Sequence, residues 1–474
     1  MRYSMLVYLS KMGQTLLEAA EYLAGSAEND PMREELLENG RRMMEQIRAE
    51  LERHRQDLKS DRPVGLLNEA KKRWGGGEDC AAAIRQWIQC LPEEVRYQVR
   101  AVFFTDVGEK WDSMESVYRF MRDDPRFDPV VVLIPLVRRD QDNFEAKPEI
   151  IYKDYLTPMG IPFVAYDKYS LEKDCPDLAF TSQPYEVNLL QQFWPENIMR
   201  YTRLVYLPYF LPDLVDDTSV VTLTHMPIYS YAWKVVCSTE KQYKFYCKHS
   251  PHNGANALLT GIPKVDGLVD LRNRGIERPK GWEILEGKTV ILWNSWFGIN
   301  VSSFLYFDAL LHWFGLHPDC ILLWRMHPLT DAVAKVQLPE LYQDFLEKVR
   351  RAEAAPNVVI DRETSFQAAF YYSDAMISDP SSMLPQYLLM DKPALMIPGP
   401  GFHLTGEEFI ESAWMEKGEG AGIFAFLDRI CAGEDRKAEQ RKTIRRRDLA
   451  LADGHSAERI CEALWTDLHR ETLG

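Results

Sequence analysis

From Arg100 onward the chain repeats one pattern: a short apolar run ends on a polar or turn residue, and a segment of helix length follows. "RAVFFTD" (100–106), "PVVVLIPLV" (129–137), "IPFVAYD" (161–167), "DLAFTS" (177–182), "LVYLPY" (204–209), "VVTLTH" (220–225) and "KVVCST" (234–239) are such runs. "SMESVYRFMRD" (113–123) has helical spacing. Continuous apolar runs alternating with helices predict a parallel α/β sheet whose strands are buried on both faces. The runs stop at "LLTGIPKVDGLVDLRNRGIERPKGWEILEGK" (258–288), which is richer in charge, Gly and Pro. They resume as "TVILWNS", "CILLWRMHP", "NVVID", "DAMISD" and "PALMIPG". The expectation is a second α/β domain and a cleft between the two.

The first 96 residues read differently. "LLEAAEYLAG" and "MREELLENGRRMMEQIRAELERHRQDL" carry apolar residues near helical spacing among Glu and Arg, and Pro31, "SDRPVG" and Gly75-Gly76-Gly77 interrupt them. This predicts a helical module serving packing or assembly. The charged tail from Arg436 to Glu471 is also expected to be helical. The predicted organisation is a helical module at 1–96, a first Rossmann-like domain at 97–268, and a second at 269–474 with the C-terminal helices.

Composition narrows the functional classes. The 474 residues are 46% hydrophobic and 27% charged, as in soluble globular proteins, and the net charge of −15 argues against a broad nucleic-acid surface. The eight cysteines are scattered without a CxxC pair, which fits buried thiols in a reducing compartment. No stretch approaches the roughly 20 apolar residues of a membrane span, and the opening residues lack a signal-peptide pattern. The expected location is the cytoplasm, with peripheral contact at the inner face of the membrane.

Two strand ends carry candidate chemistry. In "SDAMISDPSSMLPQYLLMDKPALMIPG" (373–399), Asp379, Ser381 and Ser382 lie between a strand and a helix, with Ser382 as the expected N-cap and Pro385 at the third helical position. Hydroxyls and backbone N–H groups there suit a phosphate oxygen. In "ILLWRMHPLTD" (321–331), alternation sends Arg325 and His327 to one side of a strand end. Arg offers a bidentate contact to phosphate, and His a donor or a proton. Tyr206 and Tyr209 are read as packing residues. Cys247, His249 and His252 in "CKHSPHNG" lack a fourth ligand nearby, so this stretch is read as a turn and no metal site is expected.

"TGIPKVD" (260–266), "WRMHP" (324–328) and "SDAMISDPSSMLPQYLLMDKPALM" (373–396) occur in the order found in the CDP-glycerol glycerophosphotransferases, the enzymes that prime or polymerise teichoic acids. Across roughly residues 200–400 the chain resembles that family. Lys264 stands where the family tends to have Arg, Pro380 replaces an aromatic, and Gln386 replaces an Asp. The nearest match to the family's His-Gly segment is "TLTHMP", with His225 followed by Met226. The resemblance implies a GT-B fold and a CDP-linked donor, with no cofactor required, held by the second domain. It implies transfer of an alditol phosphate to a hydroxyl of a lipid-linked or polymeric acceptor. His225 would then act as base, Arg325 and His327 would balance phosphate charge, Ser381 and Ser382 would hold phosphate oxygens, and Asp379 would orient either its own loop or the donor's hydroxyls. A nucleotide-sugar transferase and a catalytically silent binding relative are the competing readings.

Overall fold

The computed structural model describes residues 1–76, 78–139, 147–209, 224–300, 302–363, 365–398, 409, 413–416 and 420–473. Helices Tyr3–Gly25, Arg33–Arg53, Arg62–Lys72 and Glu78–Glu94 form the helical module. Their apolar stripes meet in one core that includes Leu6, Leu9, Met44, Ile47, Leu51, Ile84, Trp87 and Leu91. Within the "LVYLS" run near the start, Leu6, Leu9 and Ser10 face inward and Tyr8 faces outward.

The first parallel sheet contains β1 (Val99–Thr105), β2 (Phe127–Leu133), β5 (Val164–Ala165), β6 (Leu178–Thr181), β7 (Arg203–Tyr206), β8 (Lys234–Cys237) and β9 (Ala257–Leu259), in the spatial order β5-β2-β1-β6-β7-β8-β9. Beside it, β3 (Leu136–Arg138) and β4 (Glu149–Ile151) pair antiparallel. The period of two is plain in β1. Val99, Ala101 and Phe103 enter one core, and Val102 and Phe104 the core on the opposite face.

The second sheet contains β10 (Thr289–Ser295), β11 (Cys320–Met326), β12 (Val358–Ile360), β13 (Ala375–Ser378), β14 (Ala394–Met396) and β15 (Trp414–Met415), in the order β12-β11-β10-β13-β14-β15. Val290 and Leu292 face one core, while Ile291 and Trp293 face the other, where Trp293 stacks on Trp324 with ring centroids 4.7 Å apart. Most of the apolar runs seen in the sequence are strands of these two sheets. Residues 220–223 of "VVTLTH" lie outside the described residues, and Thr224 and His225 form a helical turn rather than a strand end.

The junction between the sheets differs in detail from the division drawn at residue 268. That point falls inside the helix Pro263–Arg274, whose Val265, Leu268 and Leu271 pack into the second sheet's core. The last helix, Ser456–Leu473, returns to the first sheet. Ile460, Cys461, Leu464 and Leu468 complete the core under β1, and Trp465 stacks on Tyr97. The packing of this last helix on the first sheet is the arrangement that the family resemblance implies.

The "TGIPKVD" block anchors that return. Asp266 is buried, and its carboxylate accepts hydrogen bonds from Ser456 N at 3.0 Å and Ala457 N at 2.9 Å. Two first-turn N–H groups of the last helix are thereby satisfied. Burial raises the Asp266 pKa, and these donors oppose the rise. Gly261 has φ +84°, and a Cβ there would lie 2.6 Å from Ser456 Oγ and 2.7 Å from Leu451 O, so only glycine fits. Lys264 is 8% exposed and pairs at 3.1 Å with Asp112 of the first sheet's side.

Replacing Asp266 with Ala strands two buried N–H groups. We expect a loss of about 1–3 kcal/mol of stability in denaturant unfolding, with faster amide exchange concentrated in residues 456–468. Exchange unchanged there would show that the helix is held by its apolar face alone.

Candidate functional site

The second sheet starts in its middle. From β10 the chain moves out to β11 and β12, then crosses back to β13 and on to β14 and β15. β10 and β13 are therefore neighbours whose connections leave in opposite directions, which opens a crevice at their carboxyl ends. The residues in that crevice are Asn294 and Ser295 at the end of β10 with Trp296 after it, and Ser378 at the end of β13 with Asp379, Pro380 and Ser381 after it.

Parallel register aligns Arg325, Asn294 and Ser378 in one row across β11, β10 and β13. Asn294 holds the row together: its Nδ2 donates to Ser378 Oγ at 2.9 Å and to Ser381 Oγ at 3.1 Å. Sequence reasoning missed Asn294. The available signal was a polar side chain at the inward end of a buried run, but its partners lie more than 80 residues away.

Asp379 is 1% exposed. Its carboxylate accepts from Trp296 N at 2.7 Å, from Ser303 N at 2.9 Å and from Ser303 Oγ at 2.7 Å. Burial raises its pKa, and those three donors oppose the rise. Asp379 thereby fixes the loop after β10. That loop presents Trp296, 41% exposed, with Phe297 beside it.

Ser382 occupies the N-cap position of the helix Met383–Leu388, and Pro385 its third residue, as expected. Ser382, however, has helical dihedrals and makes no capping bond. Ser381 Oγ accepts instead from Met383 N at 3.3 Å, while the Ser382 side is exposed. Gln386 is buried and donates to Ser382 O at 2.6 Å, so it braces this turn from beneath.

Arg325 and His327 both lie at the end of β11 but reach toward different neighbours. Arg325 Nη1 donates to Asp361 and to Glu363 O and Ser365 O, bracing the segment after β12. His327 faces the β10 side, edge-on to Phe297 with centroids 5.4 Å apart. Its Nδ1 accepts from Leu329 N at 3.1 Å, so the neutral ring carries its proton on Nε2.

His225 belongs to the first sheet's side. It is exposed, and its Nδ1 lies 2.7 Å from Thr224 Oγ1, immediately before the helix Pro227–Tyr231. Tyr206 is fully buried edge-on to Tyr229, a packing role. Tyr209 is less enclosed: Lys110 sits over its ring, and Lys264 Nζ approaches its carbonyl at 3.4 Å. In the "CKHSPHNG" stretch, His252 Nε2 lies 2.9 Å from Ser230 O, and Asn253 and Gly254 make the turn with positive φ. Among the described residues, no group of three or more His, Cys, Asp or Glu is placed to hold a metal ion, and no helix is long and apolar enough to cross a membrane.

Residues 221–399 match the family model described as CDP-Glycerol:Poly(glycerophosphate) glycerophosphotransferase. That span contains His225, Asn294, Arg325, His327, Asp379, Ser381 and Ser382. No curated protein matches the chain significantly. Among solved structures, a UDP-N-acetylglucosamine 2-epimerase described as putative, from Listeria monocytogenes, aligns at TM-score 0.54 and 12% identity, over 79% of this chain and 97% of that one. The UDP-GlcNAc 2-epimerase from Neisseria meningitidis, solved with UDP-GlcNAc, aligns at TM-score 0.50 and 13% identity, over 78% and 100%. The wall teichoic acid polymerase TagF aligns at TM-score 0.49 and 13% identity, over 86% and 96%. The fold is GT-B-like, with a helical module at its amino-terminal end.

Because Asp379 holds both Trp296 and Ser303, Asp379→Ala releases the loop beside the crevice. Losing hydrogen bonds to a charged acceptor costs about 1.5–3 kcal/mol each. We expect at least a roughly tenfold weaker affinity for CDP-glycerol by calorimetry and faster exchange at the Trp296 and Ser303 amides. Unchanged affinity together with faster exchange would separate the loop from ligand binding.

Proposed function

We infer, from the match of residues 221–399 to the CDP-glycerol:poly(glycerophosphate) glycerophosphotransferase family model, that the chain is a glycerophosphotransferase-like enzyme of teichoic-acid synthesis whose second sheet holds a CDP-linked donor and whose first sheet holds the acceptor. The observation that carries the donor half is the network joining Asn294, Ser378 and Ser381, with Asp379 fixing the adjacent loop, at the point where β10 and β13 diverge. Donors bound there meet hydroxyls, an exposed Trp and the His327 ring.

In this reading an acceptor hydroxyl oxygen attacks the donor's distal phosphorus. The new P–O bond forms as the bond to CMP breaks, which leaves a phosphodiester and free CMP. The two histidines suit opposite tasks. His327 has its Nδ1 filled by Leu329 N, so its Nε2–H donates to phosphate oxygens and supports departure of CMP. His225, whose Nδ1 lies 2.7 Å from Thr224 Oγ1, acts as the base that takes the hydroxyl proton. Arg325 adds positive charge beside the row it shares with Asn294 while bracing residues 361–365. Ser382, exposed and not used for capping, offers a hydroxyl to a phosphate oxygen. A lipid-linked acceptor would bring the protein to the cytoplasmic face of the membrane as a peripheral enzyme.

The test is release of nucleotide by the pure protein from a panel of CDP-alditols and nucleotide sugars, read by mass spectrometry. CMP from CDP-glycerol supports this reading. UDP or CMP from a sugar donor would replace it with sugar transfer, and binding without turnover would indicate a silent relative. At saturating donor and acceptor, His225→Ala should cut turnover by about 10²–10⁴-fold with donor affinity retained, whereas His327→Ala should also weaken donor binding. Equal turnover in His225→Ala and the parent would remove His225 as the base.

A further inference from the structure

The first sheet is built like the second. From β1 the chain runs outward through β2 to β5, then returns to β6 on the other edge of β1 and continues to β7, β8 and β9. β1 and β6 are thus its diverging pair, and a second crevice opens at their carboxyl ends. A polar cluster fills that place, and the proposed chemistry does not use it.

Asp106 follows β1 and is 4% exposed; Gln183 follows β6 and is 1% exposed. The Asp106 carboxylate accepts from Val107 N at 3.0 Å, Lys110 Nζ at 2.7 Å and Gln183 Nε2 at 2.7 Å. Gln183 Oε1 accepts from Tyr185 N at 3.3 Å. The Lys110 ammonium lies 5.5 Å from the centre of the Tyr209 ring, and the Tyr209 side chain is hydrogen-bonded to Tyr185. Tyr185 itself is 37% exposed and forms the rim.

Each part of this arrangement has a consequence. Asp106 is saturated by internal donors, so it orients its neighbours rather than meeting a ligand. Lys110 has three N–H donors and gives Asp106 one contact, and the pair holds the ammonium at a fixed place beneath an aromatic face. Burying an ion pair gives little net stability compared with an apolar pair, so the fold gains little from placing one here for its own sake. An oriented ammonium with two tyrosines at the rim matches a polyol phosphate, with a phosphodiester oxygen for the cation and CH and OH edges for the rings.

We propose that the crevice between β1 and β6 is the acceptor subsite, where Lys110 donates to a phosphodiester oxygen of a polyol-phosphate chain and Tyr185 flanks the polyol. This deepens the glycerophosphotransferase reading and rests on it for the identity of the chain bound. The first sheet then supplies the nucleophile's carrier, and His225, just before the helix Pro227–Tyr231, belongs to that sheet's side.

The experiment titrates the full chain, without donor, with a synthetic tri(glycerol phosphate) by calorimetry, and separately with CDP-glycerol. Lys110→Met should weaken the trimer by about tenfold or more, the loss of one charge-assisted hydrogen bond, with CDP-glycerol affinity unchanged. Lys110→Arg should stay within about threefold of the parent, since it keeps the charged donor. Tyr185→Ala, at an exposed rim position, should also weaken the trimer and keeps the test valid if Lys110→Met fails to fold. Parent-like trimer affinity in Lys110→Met or in Tyr185→Ala overturns the proposal. So does a parent protein that binds CDP-glycerol but not the trimer. If the trimer binds in a Lys110-dependent way while no donor in the panel turns over, the subsite stands and the transferase reading falls.

Discussion

Parallel neighbours cannot be joined by a tight turn. Every connection in the two sheets must cross a face before the next strand begins. Each sheet therefore grows outward from its first strand, reverses once, and leaves one pair of strands whose exits diverge. β1 with β6 and β10 with β13 are those pairs. Asn294, Ser378, Asp379 and Ser381 gather at one of those places, and Asp106, Lys110 and Gln183 at the other. Both crevices follow from topology before any particular side chain is considered.

Aspartates do the fastening at these points. Asp106, Asp266 and Asp379 are each at most 5% exposed, and each takes at least one donor from a residue distant in sequence. A carboxylate has about four lone-pair sites, so one buried Asp can tie several backbone strands at once. The cost of desolvation appears as the raised pKa of Asp266 and Asp379. The gain is geometric: the loop with Trp296, the start of the last helix and the Lys110 ammonium are each held in one position. A chain with a net charge of −15 thus uses some of its acids as internal fasteners.

The sheets were legible because buried strands are written as contiguous apolar runs. β4, β9 and β15 escaped notice because, unlike the equally short β5, β12 and β14, they do not lie within a longer apolar run bounded by turn residues. The last helix was legible as a helix, but its periodic stripe does not say which core receives it. The site was legible only in part. Arg325, His327, Asp379 and Ser381 stand out because they follow a strand within a recognisable spacing. Asn294, Asp106 and Gln183 do not, since a polar residue after a strand is common and the contacts that make these residues distinctive span 77 to 87 residues. The reading of Arg325 as a phosphate-facing cation took no account of Asp361 and the adjacent backbone, which one of its donors serves and which alternation along a single strand cannot reveal.

The return of the helix Ser456–Leu473 to the first sheet sets an order of events during synthesis. Val99, Ala101 and Phe103 leave the ribosome more than 300 residues before Ile460, Leu464 and Leu468, which cover them. Until then that core, to which Val117, Tyr118 and Met121 already contribute, lacks its last layer of apolar side chains. At roughly 5–20 residues per second, that core waits for about 20 to 70 seconds. The nascent chain is therefore a natural client for a holding chaperone, and its first half reaches its final packing only when its last turn emerges.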